Sequence, residues 1–329
     1  MNNAPRLSLI VPMYNAGAHF FSLRENVIPL LNRTDIEILL VNDGSKDNTL
    51  ALAQQFATEA QNVRVLDKSN GGAAAARNFG IRNATGVYLA FLDADDKMDF
   101  TIIESLLQQA EKGALELIAF DLRYIDTSGN LQGQGLQQLS QYNILQSGIE
   151  YLDSGYQPSS ICIFLAARNF ILTHELFFVE GITHEDVEVS LRWMLAAQKV
   201  IFTKEVGYFY FQHPGSVTNQ LTAAKKQKYL MDEVIVAGLM KRQMTHYTTA
   251  QAQYLIRKNY NSVVWNLLFI IYKDPAMLDH NFVKEVIARL KKETLYPIRG
   301  PLKTTFQKLT KFIINIEFVL KRLLGRKLK

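Results

Sequence analysis

Residues 12–95 hold four groups of polar side chains that could do chemistry together. Tyr14, in Pro12-Met13-Tyr14-Asn15, can stack on a nucleobase. Asp43, in Val41-Asn42-Asp43-Gly44-Ser45-Lys46-Asp47, can accept a hydrogen bond from a base N–H. Arg77 follows Asn70-Gly71-Gly72 and can neutralise phosphate. Asp93 and Asp95 are two apart, so in extended chain they face one side. Such hard oxygen ligands suit Mg²⁺ or Mn²⁺. An aromatic ring, a lone acid, a guanidinium and paired carboxylates suit a nucleotide with a metal-bound diphosphate. Singly each has an ordinary use: Asp-Gly-Ser is a common turn, Asp47 a common helix cap, and Asp-x-Asp a common solvated turn. Their order and spacing carry the weight.

The elements that would position them alternate. Leu7–Pro12, Ile36–Val41, Val63–Leu66, Val87–Leu92 and Leu115–Phe120 are short apolar runs that predict buried strands. Ala18–Leu31, Asp47–Ala60, Ala73–Asn83 and Phe100–Lys112 predict the helices between them. This alternation predicts an α/β layer with a mainly parallel sheet, whose ligands bind outside the carboxyl ends of the strands. All four polar groups follow strands, so they fall on one sheet edge. Farther on, a turn is expected at Thr127–Asn130, strands at Ile161–Ala166 and Val206–Phe211, and a helix at His184–Ala197. Residues 222–243, 249–272 and 280–292 read as helices, and one of about 25 residues follows Pro301.

Several classes are excluded. The dinucleotide-binding G-x-G-x-x-G would have to follow the first strand, where Pro-Met-Tyr-Asn-Ala-Gly stands, and no P-loop occurs. A single cysteine, Cys162, rules out an intrachain disulfide or a cysteine-rich zinc module, and its apolar strand predicts burial. The N-terminus lacks the pattern of a secretory signal. Val263–Tyr272 is about half the length of a membrane span. The net charge is +5, but residues 301–329 alone carry +7 and the remainder sums to −2. The chain is therefore no general nucleic-acid binder.

LSLIVPMYN, ILLVNDGSKDNT, NGGAAAARNFGI and VYLAFLDADD, in that order and spacing, resemble the donor-binding half of family 2 glycosyltransferases. The resemblance is strong over about residues 5–100 and looser to about 220. It implies a GT-A fold, a Rossmann-like mixed sheet flanked by helices, with a UDP-sugar donor and Mn²⁺ or Mg²⁺ as cofactor. By position it puts Pro12, Tyr14, Asn15, Asp43, Asn70, Arg77, Asp93 and Ala94 on the donor, with Asp93 facing the ribose. It puts the metal on Asp95, supported by Asp93. Ala16 departs from the pattern, because many members carry an acid there.

Gly181-Ile182-Thr183-His184-Glu185-Asp186 resembles the family's Glu-Asp motif, which implies Asp186 as catalytic base and Glu185 as its neighbour. The ordinary reading is that both acids complement a helix dipole. Tyr208–Thr218 is similar to the family's closing strand and loop, but Phe211 stands where an Arg is common. His213 can supply a metal or phosphate contact in its place. Arg192-Trp193 superficially matches processive synthases, but Val189 replaces the Gln expected before it, so a single addition is expected, with Trp193 in the core.

Leu302, Phe306, Leu309, Ile313, Ile316, Leu320 and Leu323 make one apolar stripe on a helix rich in lysine. Such a helix can lie on an anionic leaflet, join a second copy or pack on the body. The expected organisation is a catalytic domain over 1–220, with its donor half at 1–98 and acceptor half at 99–220. A helical extension over 221–300 and the basic helix over 301–329 follow. The expected activity is single hexose or N-acetylhexosamine transfer to a saccharide or lipid-linked acceptor in surface polysaccharide or lipid-linked oligosaccharide synthesis. The expected place is the cytoplasm, peripheral on the inner face of the cell membrane. The rivals are a sugar nucleotidyltransferase, disfavoured by the missing Gly-rich basic loop, and a non-catalytic glycan or membrane adaptor.

Overall fold

Strands β1 (Leu7–Met13) and β2 (Ile36–Asp43) are buried almost throughout. Both are continuous apolar runs, as strands covered on two faces require. They pair in parallel, Leu7 opposite Ile36 and Met13 opposite Asn42. β3 (Val63–Lys68) runs parallel to β2, and β4 (Tyr88–Phe91) parallel to β1. Helices α1 (Phe20–Val27), α2 (Thr49–Ala57) and α3 (Ala73–Asn83) make the crossovers. At Gly80 of α3 an added Cβ would stand 2.5 Å from Ile10 Cγ2, so the close approach to β1 needs glycine.

The computed structural model describes residues 4–126, 130–132, 135, 139–211, 222–273 and 280–316. Beyond β4 come β5 (Lys97–Met98), α4 (Phe100–Gly113), β6 (Leu117–Ile125) and β7 (Leu131–Gln132), then α5 (Gly148–Asp153), β8 (Phe164–Ala167), α6 (Arg168–Thr173), α7 (Glu185–Ala196) and β9 (Val200–Phe211). Among the described residues one mixed sheet forms, in the order β3-β2-β1-β4-β8-β6-β9-β5, with β7 on β6. β8 is antiparallel to β4 and β6, whereas β6 and β9 are parallel. This is the expected mixed sheet with flanking helices. Leu115 lies outside β6, because Ala114 ends α4 in the left-handed region at φ 44°. β9 begins six residues before the expected Val206, continuing its pairing with β6 from Leu117↔Val200. Of the expected Thr127–Asn130 turn, residues 127–129 lie outside the described residues, although β6 and β7 pair antiparallel on either side.

The chain divides into two compact units. The first comprises residues 1–181 and 196–213 and contains the sheet. Its core includes Tyr151, Tyr156, Phe164 and Phe202, with ring centroids 4.7–6.1 Å apart. The second comprises residues 182–195 and 214–329. It is helical: α8 (Ala223–Arg242), α9 (Ala250–Lys273) and α10 (His280–Lys292) follow the expected segments, and α11 (Thr305–Asn315) lies within the expected fourth. α8 packs on α9, α10 on α8 and α11 on α9. Among the described residues no helix is long and apolar enough to cross a membrane.

Among the described residues, the expected helix of about 25 residues is represented by α11, which ends at Asn315. α11 is closed at Asn315, whose side chain bonds the backbone N–H and C=O of Ile298. The Tyr296 hydroxyl donates to the carbonyls of Ile314 and Asn315, satisfying acceptors that a longer helix would use. Leu302 precedes the helix and is buried, and Ile316 leaves it in extended conformation. Leu320 and Leu323 lie outside the described residues.

Candidate functional site

In the first unit, the parallel register of β1–β4 brings Tyr14, Asp43, Asn70 and Asp93 to one sheet edge. Tyr14 is half exposed, free to meet a planar ligand. Pro12 is partly buried behind it. Asn15 adopts φ 51° and is pinned at both ends: its N–H donates to Ser45 Oγ and its Oδ1 accepts from the Lys46 N–H. Gly17 N–H donates to Asp47 Oδ2. The first two loops thus hold each other. Ala16, where many members carry an acid, is buried.

Asp43 is buried and saturated. Its Oδ1 accepts from Lys68 Nζ at 2.6 Å and Gly71 N–H at 2.9 Å. Its Oδ2 accepts from Asn70 Nδ2 at 3.2 Å and Gly72 N–H at 2.7 Å. All four lone pairs are taken, so a base N–H reaches this carboxylate only by displacing a donor. Asp43 is the closure of the Asn70-Gly71-Gly72 turn. At Gly44, φ +67°, an added Cβ would meet Asn70 N at 2.6 Å. Lys68 was not legible as a site residue: it meets Asp43 because β2 and β3 pair Asp43↔Lys68, which requires the register.

At the end of β4, burial alternates: Asp93 and Asp95 are partly exposed, Ala94 and Asp96 buried. Asp96 N–H donates to the Asp93 carbonyl at 3.0 Å, so this segment is a turn rather than the extended chain in which a spacing of two would set both carboxylates on one side. Arg77, itself buried, donates from Nη2 to Asp93 Oδ1 at 2.7 Å and lies 5.7 Å from the Phe178 ring centroid. The Cys162 thiol, buried as expected, lies 3.8 Å from Asp93 Oδ2, and burial pushes its pKa up. Asp96 accepts from the Tyr208 hydroxyl at 2.7 Å and the Phe211 N–H at 2.9 Å. Burial, with Asp93 and Asp95 nearby, pushes Asp96 up to about 8. Asp96 thus ties the acidic loop to the end of β9. Its role was hidden in the sequence among three neighbouring acids. His213, expected near the metal, lies outside the described residues.

No group of three or more His, Cys, Asp or Glu side chains converges for a metal among the described residues. Mg²⁺ and Mn²⁺ bound with substrate phosphates need only one or two protein carboxylates. Asp93 and Asp95 meet that requirement.

In the second unit, Glu185 and Asp186 open α7 and are partly exposed. Val187 N–H donates to Asp186 Oδ1. The preceding loop is fastened to α8. Thr183 donates from N and Oγ1 to Asp232 Oδ2, which also accepts from Lys228 Nζ. His184 takes φ 60°, and its ring centroid stands 4.0 Å from that of Tyr229. Its Nε2 is 3.6 Å from Glu233 Oε1. Burial lowers the His184 pKa and pushes Glu233 up to about 8, in each case favouring the neutral form. Tyr229, Asp232 and Glu233 were missed in the sequence. A signal existed: Glu233 falls on the apolar Leu230, Val234, Ala237 stripe of α8, where an acid needs a reason. Arg192 pairs with buried Glu188, Nε to Oε1 at 2.8 Å, and Trp193 is fully buried. The Arg-Trp pair is thereby structural.

Comparison with known proteins places this arrangement. The model of "Glycosyl transferase family 2" matches residues 8–169, from β1 into α6, and so spans all four strand-end loops. Glycosyltransferase GlyG of Streptococcus pneumoniae serotype 4 is 32% identical over 224 residues, 64% of this chain and 72% of that protein. The uncharacterized glycosyltransferase YibD of Escherichia coli K12 is also 32% identical over 224 residues, 66% of this chain. The chain spans 64% of YibD's length, a little less than two thirds. The crystal structure of S. aureus TarS 1-349 in complex with UDP superposes with a TM-score of 0.69 over 96% of this chain and 89% of that one. At 16% identity this likeness establishes the fold. With its matching family model and its identity to GlyG, the chain belongs to glycosyl transferase family 2.

Proposed function

We propose that the chain is an inverting, metal-dependent glycosyltransferase. It moves one hexose or N-acetylhexosamine from a UDP-sugar to a saccharide acceptor carried on lipid, in surface polysaccharide or lipid-linked oligosaccharide synthesis. The observation that carries this reading is the partly exposed pair Asp93 and Asp95 near Arg77, which bonds Asp93, on the sheet edge that also presents Tyr14. Tyr14 stacks on the base, Asn15 and Asn70 fix the loops that receive the nucleotide, and Arg77 balances the charge on Asp93. Asp95, with Asp93, would hold Mn²⁺ or Mg²⁺, which supplies positive charge for the departing diphosphate when bound. Asp186 takes the acceptor hydroxyl proton as that oxygen attacks the anomeric carbon from the face opposite UDP. The new C–O bond forms as the bond from the anomeric carbon to the diphosphate oxygen breaks, and UDP leaves with that electron pair. Glu185 sits beside the base and tunes its surroundings.

UDP release from a panel of UDP-sugars, with Mn²⁺ or Mg²⁺ added, tests the reading. One donor should release UDP above background, and Asp186→Asn should keep UDP binding while losing transfer. Normal turnover by Asp186→Asn would sink the mechanism. Absence of UDP and Mn²⁺ binding in a calorimetric titration would favour the non-catalytic adaptor.

A further inference from the structure

Helix α11 is oriented by a polar residue. Gln307 and Ile314 are buried, whereas Phe306, Leu309, Phe312 and Ile313 are 54%, 75%, 75% and 47% exposed. Gln307 Oε1 accepts from Ser262 Oγ at 3.1 Å, and Gln307 Nε2 donates to Asn266 Oδ1 at 3.1 Å. Rolling the apolar face inward would strand this buried amide. The apolar face therefore stays outward by construction. It continues onto α9: Phe306 meets Trp265 and Phe269 edge-on at 5.5 and 5.6 Å, and Tyr272 beyond them is 40% exposed. Cations rim this face. Lys273 stands 5.0 Å from the Phe269 ring centroid, and Lys308 is exposed on α11. α11 contains no acid.

We propose that this face of α11 and the end of α9 form a docking surface for an anionic lipid leaflet. Aromatic and aliphatic side chains enter the boundary between headgroups and acyl chains, and the lysines meet the headgroups. Charge selects this occupant. A second copy would bring the same cations face to face, whereas an anionic leaflet neutralises them. The surface does not depend on the transfer assigned above.

The test is cosedimentation of the full chain with vesicles of phosphatidylcholine alone, or of phosphatidylcholine with phosphatidylglycerol. The wild type should sediment with the anionic vesicles and stay largely in solution with the neutral ones. Leu309→Ser with Phe312→Ser should weaken anionic-vesicle binding by about tenfold or more while UDP affinity is unchanged. Lys273→Glu with Lys308→Glu should do the same. Equal sedimentation on both vesicle types would overturn the proposal, as would unaltered binding by the Leu309/Phe312 variant. A wild-type dimer in light scattering that this variant dissociates would also overturn it, by assigning the face to self-association.

Discussion

The ion pair between Arg77 and Asp93 gives one residue two duties. Arg77 is buried with its charge balanced by Asp93, and its guanidinium is also the group the sequence offers to phosphate. Arg77→Lys keeps the charge but loses the planar fork, so UDP affinity should fall by roughly tenfold or more in a calorimetric titration. An affinity equal to wild type would mean that the fork is dispensable. Glu233 provides a pH test. Its folded value, about 8, lies above the roughly 4.3 of an unfolded Glu. Between these values the folded chain keeps a proton that the unfolded chain has released, so stability falls as pH rises through this window. The titratable groups shown beside it are His184 from the loop before α7 and Tyr229 from its own helix. Glu233→Gln removes the ionisation. At pH 7 it should be more stable than wild type by on the order of 2 kcal/mol, with the gap shrinking by pH 5. Urea unfolding at both pH values checks this, and an equal gap at both would count against it.

At the scale of elements, the contact of α3 with β1 is the most exacting. Gly80→Ala would press a methyl into Ile10, and overpacking of this kind costs roughly 1–3 kcal/mol. A lowered urea midpoint with an unchanged slope is the expected result. The strands that carry the donor edge were legible because β1 and β2 are unbroken apolar runs, and continuous burial leaves no other reading. The arrangement of Asp93 and Asp95 was not legible, because a period of two holds for extended chain and this segment turns. Cross-strand facts were not. The four donors on Asp43, the tie from Asp96 to β9 and the clamp of α8 on His184 depend on register or helix docking, which local pattern does not encode. The α11 stripe was visible as a stripe, but its outward direction depends on Gln307, and its end depends on Asn315 and Tyr296.

Over the whole molecule, charge is segregated. Residues 301–329 carry +7 and the rest sums to −2. Binding to anionic vesicles should therefore weaken steadily as sodium chloride is added, because the leaflet's potential decays within about 10 Å at 0.1 M salt. A salt titration of cosedimentation reads this, and a flat curve would assign the attraction to the apolar face alone. The strand order has a consequence for synthesis. β1 to β4 leave the ribosome before β8 and β9 and neighbour one another, but among the described residues β4's other edge pairs with β8, and β5 with β9. Asp96 and its partner Tyr208 are 112 residues apart. The nascent chain thus carries an open strand edge at β4 until Phe164–Ala167 emerges, and a wet Asp96 until β9 is complete. The nucleotide edge is translated before the strands that complete it. A ribosome stalled before residue 200 would present a partial sheet that is sticky at β4 and lacks the tie from β9 to its acidic loop.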